Sequence, residues 1–136
     1  MSRRILLAYQ LITGLSDTAT GVLLMVAPDF TLRLMHLRAP ADALVYVSFV
    51  GAFVLSVGLA CLCGAVLAFR GGCQRKLEIV WVLTALPRAS VAIFVAAQIL
   101  VGALQAGWLA VALFDGACVL VQAIGLRKGW LARATN

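Results

Sequence analysis

Charge is scarce in this chain, and acid is scarcest. Only 12% of the 136 residues are Asp, Glu, Lys or Arg, and five of them are acidic. With so few charged groups against 64% hydrophobic residues, a soluble domain of this size has no way to hide its apolar surface. Its solvent is expected to be lipid. Histidine is nearly missing too. His36 stands alone, which excludes a bis-histidine haem site within one chain and any multi-histidine metal cluster. The four cysteines do not form a Cys-x-x-Cys pair: Cys61 and Cys63 are one residue apart and point to different helix faces. There is no Gly-rich phosphate loop and no nucleophile elbow. No catalytic residue, cofactor or metal is therefore expected. The net charge of +6 comes without a basic stripe interleaved with aromatics, so nucleic acid is not an expected partner.

What is present is a set of long apolar runs. The opening MSRRILLAYQLITGL has two arginines before an apolar run that reaches Ala27. That run is longer than the apolar stretch of a signal peptide, and it reads as a first membrane anchor. Membrane helices are predicted over about 5–27, 43–69, 77–101 and 106–126 of a single integral membrane domain. The segment PDFTLRLMHLRAPAD between the first two reads as a short amphipathic helix, about 29–38, lying in the interface plane with Phe30, Leu34 and Leu37 on one side. Pro28 and Asp29 are expected to stop the first helix, and Asp42 to cap the second.

Three of the predicted helices carry a polar stripe. In the first, Gln10, Thr13, Gly14, Asp17, Thr18 and Gly21 share a face. In the third, Trp81, Thr84 and Arg88 do so, with Pro87 removing a backbone donor and a kink expected beside it. In the fourth, Gln105, Trp108, Ala112, Asp115, Val119 and Gln122 line up. The second helix carries a different signal. Ser48, Ala52, Ser56, Ala60, Gly64 and Ala68 recur every four residues, a ridge of small residues of the kind that lets membrane helices pack closely. Its partner is a helix of this chain, a second copy or a larger membrane complex.

Arg88 is the residue that most needs explaining. An arginine in mid-membrane costs from about 3 kcal/mol on insertion scales to more than ~10 on an isolated helix. It is expected to face inward and to be paired. Asp17 and Asp115 lie within about 5 Å of it in depth, counting 1.5 Å per residue from each helix midpoint. The three make either a buried ion cluster that holds the helices together or a binding and coupling site, with Gln10, Thr13, Thr84, Trp108 and Gln122 around it. Two carboxylates and one guanidinium sum to −1 if all are ionised, which low dielectric disfavours, so one of the two aspartates is expected to carry a proton.

Lysine and arginine are unevenly spread. Arg3, Arg4, Arg70, Arg75, Lys76, Arg127, Lys128 and Arg133 fall on one side of the predicted topology, and Arg33 and Arg38 on the other. By the positive-inside rule both termini are cytoplasmic, in a bacterial inner membrane, with Trp130 as a headgroup anchor in the tail.

A Gly and then a Pro near the end of the first helix (GVLLMVAPDF), an arginine inside the third (LPRAS) and an acid in the fourth (FDGACVLVQAIGL) resemble the small four-helix membrane proteins of the DoxX-like kind. That resemblance implies an all-α, four-helix transmembrane bundle and no particular catalytic residue. Small multidrug transporters are similar in helix number, but they use a glutamate where this chain has Asp17. Three functions follow from the residues. One is a non-enzymatic subunit, assembly or interaction module. Another is a proton-coupled transporter or binder of small amphiphilic molecules that uses the cluster. The last is an intramembrane enzyme acting on a lipid or quinone.

Overall fold

In the computed structural model residues 2–71 and 73–135 are described, with side chains given up to Ala132, so the side chain of Arg133 lies outside them. The chain is all-helical. In order it forms α1 (Arg3–Val26), α2 (Pro28–Leu34), α3 (Leu44–Phe69), α4 (Gln74–Leu100), α5 (Leu109–Arg127) and α6 (Trp130–Thr135), with single 3-10 turns at Ala41–Ala43 and Ala106–Trp108. Among the described residues three helical stretches are long and apolar enough to cross a membrane: Ala41–Phe69, Gln74–Leu100 and Ala106–Arg127.

Local chemistry sets the ends. Ser2 caps α1 by accepting from the Ile5 amide. Pro28 disfavours helical backbone at the residue before it, and Ala27 leaves the helix at φ −141. Pro28 does more than stop α1, however. It is the first residue of α2, where its missing N–H costs nothing. The predicted helix over 29–38 is therefore shorter and starts earlier. It ends at Leu34, His36 turns left-handed at φ +57, and the Leu37 amide bonds back to the Leu32 carbonyl at 2.8 Å. Its buried residues are Thr31 and Leu32, joined by Leu37 beyond its end, while Phe30 and Leu34 point outward. Asp42 does not cap α3. It sits exposed in the 3-10 turn, which itself leads into the helix. On the other side of the α3–α4 loop, α4 starts at Gln74, three residues before the predicted start, because Gln74 donates to Glu78 Oε1 across the first turn. It then runs through Pro87 without interruption to Leu100.

The helices pack in two antiparallel pairs. The tighter is α1 with α3, where glycines let the backbones nearly touch. A Cβ added at Gly58 would stand 2.5 Å from the Thr18 amide nitrogen, and one at Gly21 would stand 2.5 Å from that of Leu55. The contact line on α3 is thus Gly51, Gly58 and Ala65, seven residues apart. The predicted four-residue ridge only grazes it. Gly64 and Ala68 are buried and Ser48 and Ala60 half-buried, but Ala52 and Ser56 face outward. A step of four drifts around a helix, whereas a step of seven is nearly two whole turns and stays on one side.

The other pair is α4 with α5, joined by a tight turn at Gly102, φ +77. Between the pairs the link is mostly through side chains, and α3 and α4 touch only along part of their length. At the end that holds the chain's termini, Arg3 donates to the carbonyls of Ala68 and Phe69 as α3 runs out. There α6 folds back, and its Leu131 joins Leu6, Ala68, Leu77 and Trp81 in the main apolar cluster. Trp130 is half-buried, with a ring atom 3.0 Å from where a Gly125 Cβ would lie, so the tail packs on the helices. At the opposite end Gln105 donates to the Arg38 carbonyl and ties the two loops together.

Candidate functional site

The polar stripe of α1 is the face it buries. Gln10, Thr13, Gly14, Asp17 and Gly21 are all covered, and Ile5, Leu11, Ile12, Leu15, Val22 and Val26 are left outside. On α4 the covered residues include Leu77, Trp81, Thr84 and Arg88. On α5 they include Ala112, Cys118, Gln122 and Gly125. These faces meet, and the ionisable groups meet with them.

Arg88 lies between the two acids. Its side chain is 3% exposed. One terminal nitrogen, Nη1, donates to Asp115 Oδ1 at 2.7 Å, and the other, Nη2, donates to Asp17 Oδ2. One guanidinium fork thereby joins α1, α4 and α5. The planar fork suits this role, because it offers donors in two directions where a lysine ammonium would act as a point charge. The Phe114 ring adds a face for the cation, with its centroid 5.5 Å from Arg88 Cζ. Arg88 Nε has no hydrogen-bond partner among the described residues.

A turn nearer the termini the polar residues continue. Thr84 Oγ1 donates to the Val80 carbonyl at 2.9 Å and accepts from Gln122 Nε2 at 2.8 Å. Thr13 Oγ1 donates to the Tyr9 carbonyl, and the Tyr9 hydroxyl reaches the Cys118 carbonyl at 3.4 Å. Tyr9, absent from the predicted site, thus links α1 to α5 and packs its ring on Trp81, 5.7 Å between centroids. Its signal in the sequence was weak, since it adjoins the polar stripe and does not fall on it. Gln10 and Gln122 are fully buried.

Trp108 is elsewhere. It sits half-buried in the 3-10 turn that precedes α5, seven residues from Asp115 and so about 10 Å along the axis. A continuous α-helix through 106–126 would put Trp108 on the stripe, but a 3-10 turn winds the backbone more tightly there.

Comparison with protein-family models, curated proteins and solved structures finds no match to this chain. The site must be read from its own geometry.

Among the described residues, two grooves on the outer surface stand out. One, of about 230 Å3, lies between α3 and α4 and is lined by Phe53, Ser56, Val57, Ala60, Leu83, Thr84 and Pro87. The other, of about 220 Å3, lies between α4 and α5 and is almost wholly apolar. Neither is lined by Asp17, Arg88 or Asp115. Among the described residues no group of three or more His, Cys, Asp or Glu gathers as a metal site. All four cysteines are free, Cys61 and Cys118 buried and Cys63 and Cys73 exposed. What the arrangement does chemically is hold two carboxylates on the two terminal nitrogens of one guanidinium.

Proposed function

We propose that this chain is a four-span protein of the bacterial inner membrane, with both termini in the cytoplasm, that works by non-covalent association as a subunit, assembly or interaction module. The observation that carries the reading is the Arg88 fork: both acids are engaged by it, so the cluster is occupied in joining α1, α4 and α5. Catalysis on a lipid or quinone would need an aspartate free to act and a pocket beside it. Proton-coupled transport would need access to the cluster from water.

The fourth span in this reading is α1. Its 24 residues are enough to cross, and its hydropathy is lowered by Gln10, Thr13 and Asp17, which face other helices. The face it turns outward carries Ile5, Leu11, Ile12, Leu15, Val22 and Val26. The same reading keeps the likeness to DoxX-like proteins as a proposal that rests on the sequence motifs GVLLMVAPDF, LPRAS and FDGACVLVQAIGL.

Native mass spectrometry of the protein, extracted gently from its own membrane, tests the association. A defined larger complex is expected. A monomer carrying a small molecule would shift the reading to a binder that uses Asp17, Arg88 and Asp115. Topology is tested with exposed Cys73 of the α3–α4 loop. An impermeant maleimide is expected to label it in inverted vesicles and not in intact cells; the reverse pattern would overturn the orientation.

A further inference from the structure

Below the ion cluster, toward the end that holds the termini, lies a second polar layer that the cluster does not use. Its members are Gln10 of α1, Trp81 of α4 and Gln122 of α5, each 0% exposed. Four of their polar atoms have no hydrogen-bond partner among the described residues: Gln10 Nε2 and Oε1, Trp81 Nε1 and Gln122 Oε1. An unpaired buried polar group costs about 1–3 kcal/mol, so native proteins carry few of them, and four in one layer call for a partner from outside the chain.

The layer is continuous with the cluster. Gln122 donates to Thr84, one turn from Trp81 and one from Arg88, whose Nε is itself unpaired. Tyr9 packs on Trp81 beside Gln10. Gln10 reaches Gly64 on α3, where an added Cβ would stand 2.6 Å from its Nε2. The unpaired groups also fix the kind of ligand. Gln10 Nε2 and Trp81 Nε1 donate, while Gln10 Oε1 and Gln122 Oε1 accept. The occupant must both donate and accept, at more than one point, in a fully covered site. Water meets those terms, since a buried water makes about three such bonds.

The other side of the layer is closed by carbon. Leu6, Ala68 and Leu77 cluster there with Leu131, which α6 supplies from beyond Gly129 at φ +59.

We propose that Gln10, Trp81 and Gln122 hold internal water that joins the Arg88 cluster by hydrogen bonds, and that α6, through Leu131, is the seal between this water and the solvent at the terminal end. The site stands whether or not the chain assembles with a partner, because it needs only groups of one copy.

Magnetisation transfer from water in the isotope-labelled full chain in detergent micelles tests it. The Trp81 indole N–H and the Gln10 side-chain amide are assigned from Trp81→Phe and Gln10→Leu. Transfer from water to both is expected. Its absence at both, or a co-purifying small molecule in contact with them, would overturn the proposal. For the seal, Leu131→Asp is expected to speed exchange of the Trp81 indole proton by about tenfold or more, as easier local opening does. Leu131→Ala gives a milder version of the same readout if the acid prevents folding. An unchanged exchange rate in a folded variant would show that α6 closes nothing. A third readout is the sign of a stability change. Gln10→Leu is expected to lower the melting temperature by breaking the water-bridged network, and a higher melting temperature would mean that the amide had simply been unpaired.

Discussion

The two contacts made by α1 are opposites. Against α3 it is held by absence of side chain: Gly21 meets the Leu55 backbone and Gly58 meets that of Thr18. Against α4 and α5 the backbones stand apart, and long polar side chains cross the gap: Asp17 to Arg88, Tyr9 to the Cys118 carbonyl, Tyr9 ring to Trp81. In the proposed four-span reading, lipid supplies little hydrophobic force to bring α1 to its neighbours, so association rests on close van der Waals contact or on polar bonds. This helix uses one device on each side. The glycine contact is insensitive to charge and intolerant of volume. The polar contact tolerates volume poorly as well, but it fails first through charge.

Substitutions can separate the two. The largest effect is expected for Arg88→Leu, which leaves Asp17 and Asp115 facing each other without their cation; a loss of about 3–5 kcal/mol is expected, read by thermal unfolding in detergent. Asp17→Asn or Asp115→Asn in that background is expected to restore part of it, and whichever restores more names the principal partner. A protein that melts like the parent would mean that the fork contributes nothing. Next is Gly58→Ala, where the new methyl meets backbone that has no room to yield; about 1–3 kcal/mol is expected, with no dependence on the state of the acids. A neutral Gly58→Ala would mean that α1 and α3 can separate enough to admit a methyl group. Arg3→Gln, which weakens the bonds to the carbonyls at the end of α3, is expected to cost about 0.3–1 kcal/mol and to lose that effect in high salt. Smallest is Ser56→Ala on the outward side of α3, expected within about 0.5 kcal/mol of the parent in the same unfolding assay. A larger change there would mean that Ser56 is covered by another molecule in the membrane, which would favour association through the predicted ridge.

Much of the site can be read from periodicity. Gln10, Thr13 and Asp17 at steps of three and four must share a helix face, and that face is buried in the structure. Arg88 between apolar stretches demands a partner, and few candidates exist at its depth. In α3 the spacing is ambiguous. Ser48 to Ala68 at steps of four and Gly51, Gly58 and Ala65 at steps of seven are both small-residue patterns, and spacing alone does not rank them. Glycine outranks serine and alanine only when another backbone is close enough to need the missing Cβ.

Composition and spacing alone determined that this chain is helical and apolar enough for lipid, which residues line each helix, and that its one central arginine requires acids. These follow from a residue's own chemistry and from 3.6 residues per turn. The tertiary structure decided which faces meet: that α1 lies against α3 by glycine and reaches α4 and α5 by side chain, that Trp108 is turned away by a 3-10 turn, that Tyr9 belongs to the polar core, and that the tail folds back to place Leu131 beside Leu6 and Leu77. Those outcomes depend on how closely two backbones approach in space, a quantity that residues distant in sequence set together.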